Sequence, residues 1–205
     1  MINKLFEAIF YYDRDLYKHS MHVGRLAEYS AEKLGYSDTM QQELRAAGIL
    51  NDYGKLCIPK TVLDAERNLT KAEMELMRQH PIISFQCVKG VVKNKDILEA
   101  IYSHHERVDG SGYPNGIKDV TDLAQVLGVC DSFDAICSAR SYKEAKTVPF
   151  ALSVLRKDVE NGLFEPEIVE ALADVVYDVG YRQYIGSIYN YGCTGEKGSS
   201  SVFGE

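Results

Sequence analysis

The chain has 205 residues, is 45% hydrophobic and carries a formal net charge of -7, which is enough apolar material for one sizeable core at roughly 100–200 residues per domain. Its acidity repels polymeric nucleic acid over most of the surface, so a phosphate ligand needs a local cluster of metals and basic side chains, and a small anion fits better than DNA. Five widely spaced cysteines with no Cys-x-x-Cys pair, an N-terminus without a leader pattern and the lack of any apolar run of ~18 residues predict a cytoplasmic protein with reduced thiols and no membrane association.

Apolar residues recur at helical spacing almost throughout, and strict alternation never persists, which predicts an all-α domain. Residues 2–12 form a first short helix. Asp13 or Asp15 caps a second that carries Leu16, His19, Val23, Leu26 and Ser30 on one face and stops near Gly35. Ser37 or Asp38 opens a third, which runs into Asn51-Asp52-Tyr53-Gly54, and Pro59 then breaks the chain. Thr70 and Glu73 make a capping box for a helix that yields at His80-Pro81. Residues 82–92 and 95–103 are two further helices.

His104 and His105 follow, adjacent imidazoles that point roughly 100° apart on a regular helix and reach one centre only where the helix ends. Behind them, Gly110, Gly112, Gly116 and Pro114 mark a loop that continues neither helix nor strand. Asp122 is expected to cap the next helix, with Asp131 and Asp134 one turn apart on a common side. Pro149 and Pro166 suit first helical positions and open the last two helices. From Tyr181 onward Gly, Ser and Tyr dominate, predicting a poorly ordered tail.

Collected in order, His19, Asp52, His80, His104, His105 and Asp131 stand at helix ends or on inner faces, where a bundle can cage two metals. Taken singly, His19 or His80 is more often a satisfied core or capping group, and His22 is placed in that class. The run of motifs carries more information. His19-Ser20, Asn51-Asp52-Tyr53-Gly54-Lys55, His80-Pro81, His104-His105-Glu106-Arg107-Val108-Asp109-Gly110-Ser111-Gly112-Tyr113-Pro114, Cys130-Asp131-Ser132-Phe133-Asp134 and Asn161-Gly162-Leu163-Phe164-Glu165-Pro166 together resemble the HD-GYP family of cyclic di-GMP phosphodiesterases. That family is a branch of the HD-domain metal phosphohydrolases.

The resemblance covers about residues 13–175 and implies an HD-GYP domain over 1–180, followed by the tail at 181–205. It implies an HD-type helical bundle around two divalent metal ions, often iron or manganese. His80, His104 and His105 would hold one ion, His19 and Asp131 the other, and Asp52 would bridge them. Asp15 occupies the place of the carboxylate that joins a third metal in some members. Two such ions lower the pKa of a bridging water and clamp the phosphate while the 3′ oxygen leaves in line, with Lys55 offsetting charge on the non-bridging oxygens. By the same matching, Arg107, Asp109, Gly112, Tyr113, Pro114, Asp134, Arg140 and Lys143 hold phosphates and guanines. The implied partners are cyclic di-GMP, cleaved to pGpG or GMP, and signalling proteins such as diguanylate cyclase domains.

One departure has chemical consequences. The family's His-Asp pair is Asn51-Asp52 here, and an amide is a weak oxygen ligand that does not replace an imidazole nitrogen toward a transition metal. Ala139 and Ser141 also stand where the family usually has Asp and Pro. Three readings follow: a phosphodiesterase with one loosely held ion, a member that binds cyclic di-GMP or a protein without cleavage, and another HD-type phosphohydrolase.

Overall fold

A computed structural model describes residues 2–138 and 144–178. Arg140 and Lys143, the departures at Ala139 and Ser141, Cys193 and the tail at 181–205 lie outside the described residues. All the regular structure among the described residues is helical, with no strand. The helices are α1 (Ile2–Tyr12), α2 (Arg14–Lys33), α3 (Asp38–Leu50), a 3-10 helix (Tyr53–Cys57), α4 (Lys60–Leu63), α5 (Lys71–Met77), α6 (His80–Val88), α7 (Lys95–Ser103), α8 (Asp122–Cys137), α9 (Val148–Glu160) and α10 (Pro166–Tyr177). None is long and apolar enough to cross a membrane.

Side-chain oxygens set most helix starts, because the first N–H groups of a helix have no partner within it. Asp13 accepts from the N–H groups of Asp15 and Leu16 at 2.9 Å each, Ser37 caps α3, and Thr70 and Glu73 cap α5 reciprocally. Three expectations are corrected. The cap of α8 is Thr121, which accepts from Ala124 N–H, and Asp122 is the first helical residue. Pro149 is the second residue of α9, behind Val148. The chain does break near His80-Pro81, but α5 has already ended at Met77, and His80 is the first residue of α6 with Pro81 beside it. A proline there lacks only an N–H that would have had no partner within the helix.

The core centres on α8, where Val126, Leu127, Val129, Cys130 and Phe133 are fully buried. This helix is apolar nearly all round because α2, α7, α9 and α10 enclose it. Asp131 and Asp134 are therefore buried carboxylates, which need partners or metals to be tolerated. The end of α3 delivers Asn51 and Asp52 to the same interior, beside α2 and its His19, with Gly24 and Gly48 in contact where the two helices cross. The 3-10 helix then lies against α6, and Gly54 N–H donates to Ser84 Oγ at 2.7 Å.

Candidate metal centre

Three imidazoles build one half of the site. His104 is the cap residue at the end of α7, where the helical spacing relaxes, and the His104 and His105 rings both turn inward with centroids 4.1 Å apart. Nδ1 of His104 donates to Ile101 O, and Nδ1 of His80 donates to Met77 O, both at 2.7 Å. These bonds leave Nε2 as the lone-pair atom of each ring. His80 Nε2 lies 3.4 Å from His104 Nε2 and 3.1 Å from His105 Nε2. At metal–nitrogen distances of about 2.0–2.1 Å, two ligands of one ion stand roughly 3.0–3.5 Å apart, so the three nitrogens are spaced to share a cation. Burial, helped by neighbouring His80, pushes His104 down to about 4. Burial and then His104 hold His105 well below the usual imidazole range. Both rings therefore stay neutral, the form that ligates metal.

The other half is oxygen-rich. Asp52 Oδ1 is 3.1 Å from His80 Nε2, while its Oδ2 is 3.4 Å from His19 Nε2 and 2.5 Å from Lys55 Nζ. Burial alone would raise the Asp52 carboxyl, but Lys55, His19 and His80 outweigh it and hold the group well below the usual carboxylate range. His19 Nε2 meets Asp131 Oδ1 at 2.9 Å, and its Nδ1 donates to Asp134 Oδ2 at 2.5 Å. Burial lowers His19, yet Asp131, Asp134 and Asp52 together raise it well above the ordinary value. A carboxylate cluster that binds a proton this firmly favours a divalent cation for the same electrostatic reason.

Two sets of ligand atoms each fall within 4.8 Å of one another: Asp52, His80, His104 and His105, and His19, Asp52 and Asp131. Asp52 belongs to both, as its expected bridging place requires. Asn51 is fully buried and neither of its amide atoms has a hydrogen-bond partner. Asp52 Oδ1 also has no hydrogen-bond partner, although His80 Nε2 stands 3.1 Å away. Each such buried atom costs about 1–3 kcal/mol, so their grouping beside convergent ligands is the pattern of a polar site meant for an ion. The residues present fit divalent metal, with three imidazoles and a carboxylate in one set and one imidazole with two carboxylates in the other.

Several residues assigned to nucleotide by resemblance have other partners. Asp134 is fully buried, with its oxygens on His19, on His22 at 3.0 Å and on Ser138 at 3.1 Å, so it orients histidines. His22 is thus more than core filler, since it also lines the cleft above the centre. Arg107 Nη1 donates to the carbonyls of His104 and Glu106 at 3.2 and 2.7 Å, and its guanidinium lies 4.5 Å from the Phe164 ring centroid. It braces the histidine pair from behind. Asp109 is exposed and accepts from Ser111 N–H at 2.8 Å, closing a turn. Asp15 is exposed at the rim and paired with Lys18, outside both ligand sets.

The glycine loop positions Tyr113. Its ring stacks on His105 with centroids 4.5 Å apart, and burial, with Asp52 and Asp131, raises the phenol so that it stays a neutral donor. Gly112 leaves no room for a side chain, because a Cβ there would stand 2.5 Å from backbone atoms of His105, Glu106 and Arg107. Pro114 and Gly112 border a shallow recess on the outer side of Tyr113. Glu106, unassigned by any motif argument, is buried and accepts N–H bonds from Asn115, Gly116 and Ile117 at 2.6, 3.2 and 3.1 Å, so it templates the loop. In front lies a cleft of about 1160 Å³ bordered by His19, Lys55, His80, His105 and Tyr113 on the inside and by residues 62–69 on the outside.

An HD-domain family profile matches residues 5–168. The chain belongs to the HD-domain family. This HD domain is 37% identical over 167 residues to a cyclic di-GMP phosphodiesterase of Thermotoga maritima, covering 78% of the chain and 45% of that relative. It is 37% identical over 175 residues to the cyclic di-GMP phosphodiesterase response regulator RpfG of Xanthomonas campestris pv. campestris, covering 83% and 46%. A 3′3′-cGAMP-specific phosphodiesterase of Vibrio cholerae is 28% identical over 158 residues, covering 76% and 37%. The chain thus spans less than half the length of these relatives. Among solved structures, Bd1817 of Bdellovibrio bacteriovorus superposes with a TM-score of 0.63 at 23% identity, covering 77% of this chain and 51% of that one. The PgpH HD domain of L. monocytogenes superposes with a TM-score of 0.66 at 16% identity, covering 89% and 98%. At those identities the likeness is one of fold.

Proposed function

We propose that this HD domain is a metal-dependent phosphodiesterase that opens cyclic di-GMP to pGpG or GMP. The observation that carries the reading is the pair of ligand sets sharing Asp52, whose His19, His80 and His105 line a cleft together with Lys55 and Tyr113. His80, His104, His105 and Asp52 would hold one divalent ion, and His19, Asp131 and Asp52 a second, with Asn51 as a weak oxygen ligand. Such ions supply a water that ionises near neutral pH and positive charge for the non-bridging phosphate oxygens. Iron or manganese suits the donor set, and the oxygen-rich half favours manganese.

The chain's own residues do the rest. Lys55, held 2.5 Å from Asp52, places a positive charge beside the phosphate and secures the orientation of the bridging carboxylate. Asp134 fixes the His19 ring so that Nε2 faces inward. Tyr113 offers a neutral hydroxyl at the cleft wall, and its ring shields His105 from solvent.

Asn51 favours a second reading, in which the domain binds the dinucleotide without cleaving it. Elemental analysis combined with turnover assays on cyclic di-GMP, 3′3′-cGAMP and bis-p-nitrophenyl phosphate separates the readings. Metal with cyclic di-GMP turnover supports the enzyme, and binding without turnover supports the receptor. Hydrolysis of the generic diester alone indicates another HD-type phosphohydrolase. Cytoplasmic signalling proteins such as diguanylate cyclase domains are the partners this reading implies, testable by co-purification with the recess at Pro114 intact or altered.

A further inference from the structure

Two thiols stand outside the metal centre, on the two elements that carry part of it. Cys57 ends the 3-10 helix that begins beside Asp52 and contains Lys55. Cys87 lies in the last turn of α6, whose first residue is His80. Both are exposed, whereas Cys130 and Cys137 are buried, and burial pushes the Cys130 thiol up to about 12. The 3-10 helix and α6 come closest at Gly54, whose N–H meets Ser84 Oγ. Cys57 is three residues beyond Gly54 and Cys87 three beyond Ser84, so each thiol stands one turn along its own helix from that contact, near the other along the same packed pair. The Cys87 thiol is raised by partial burial and then by Cys57, which agrees with that placement.

The segment between the cysteines gives this pair its consequence. It contains α4, α5 and their connecting loop, which supply Val62, Asp64, Arg67, Met74 and Met77 to the outer wall of the cleft. These two short helices pack chiefly on each other, so the wall is held to the body mainly at its two roots. The cysteines sit at those roots.

We infer that Cys57 and Cys87 are a peroxide-responsive modification site, forming a reversible disulfide that ties the two roots of the cleft wall together. The exposed Cys57 sulfur attacks the peroxide O–O bond, becomes a sulfenic acid and releases one water. The Cys87 sulfur then displaces the hydroxyl as a second water, forming the S–S bond. The two thiols lose two electrons and two protons, and hydrogen peroxide takes them up. A closed loop of this size restricts the unfolded chain, and the clamp limits opening of the wall.

The test uses the full chain treated with hydrogen peroxide, followed by alkylation and peptide mapping. The expected result is a Cys57–Cys87 crosslinked peptide, loss of two titratable thiols, reversal by dithiothreitol, and a melting temperature higher by roughly 5 °C or more. Cys57→Ser and Cys87→Ser should each abolish the crosslink and the shift while leaving untreated protein unchanged. Trypsin cleavage at Arg67 and Lys71 should slow on oxidation. Recovery of Cys57 and Cys87 as thiols or as separate sulfinic acids overturns the inference, as does their pairing with other cysteines or between chains. None of these readouts depends on dinucleotide turnover, so they stand apart from the proposed activity.

Discussion

Gly54→Ala is the sharpest probe of how the fold holds the site, because the structure fixes both the collision and its direction. A Cβ at position 54 would stand 2.2 Å from His80 O, 2.8 Å from Ser84 N and 3.0 Å from His80 C. Ordinary contact requires α6 and the 3-10 helix to separate by about 1 Å, and the atoms in the way are backbone, which yields only by moving the helix. Overpacking of this kind costs about 1–3 kcal/mol, or roughly 3–10 °C in melting temperature for a chain of this length. The same displacement lengthens the 3.1 Å approach of Asp52 to His80, a contact between two candidate ligands of the proposed centre. Metal affinity should therefore fall by at least about 10–100-fold, the usual effect of disturbing a ligand's support. Calorimetric melting and competitive metal titration against a chelator measure the two effects. Gly90→Ala serves as control, because a Cβ there meets nothing within 4 Å. A Gly54→Ala protein that melts and binds metal like its parent would refute the reasoning.

Asn51→His supplies the nitrogen that the family motif carries, and it should raise metal stoichiometry toward two and cyclic di-GMP hydrolysis by at least about tenfold, or 1.4 kcal/mol. Measured gain of metal without gain of turnover would favour the receptor reading, and no gain of metal would remove residue 51 from the coordination sphere. Arg107→Ala should lower metal content and melting temperature, since its bonds to the His104 and Glu106 carbonyls brace the histidine pair. If calorimetry instead shows weaker dinucleotide binding with metal unchanged, Arg107 contacts ligand after all.

Helix periodicity and the capping residues made the bundle legible from sequence, since Asp13, Ser37 and Thr70 act through bonds two or three residues away. The candidate metal ligands were legible for a different reason. His104 and His105 fall where α7 must end, and the motif order pairs them with His80, Asp52, His19 and Asp131, which the fold brings together. What sequence did not reveal depends on long-range packing. Asp134 lies on an enclosed stretch of α8, and its carboxylate meets His19 and His22 from more than a hundred residues away in sequence. Glu106 was invisible because its partners are backbone N–H groups nine to eleven residues on, and no side-chain pattern marks them. Arg107 and Asp109 lie in a motif that reads as ligand contact, and the bonds by which they also hold the loop and the histidine carbonyls are marked by no sequence pattern.

Sharing of Asp52 by two ions is tested by comparing the metal content of the reconstituted parent chain with that of Asp52→Ala. After anaerobic reconstitution with iron or manganese, the parent chain should retain one ion firmly and a second more weakly. Removing a carboxylate common to both ligand sets should then deplete both together. Asp131→Ala, which touches only one set, should spare the ion held by His80, His104 and His105. Metal content in Asp52→Ala that equals the parent, or that falls no further than in Asp131→Ala, would contradict the shared centre.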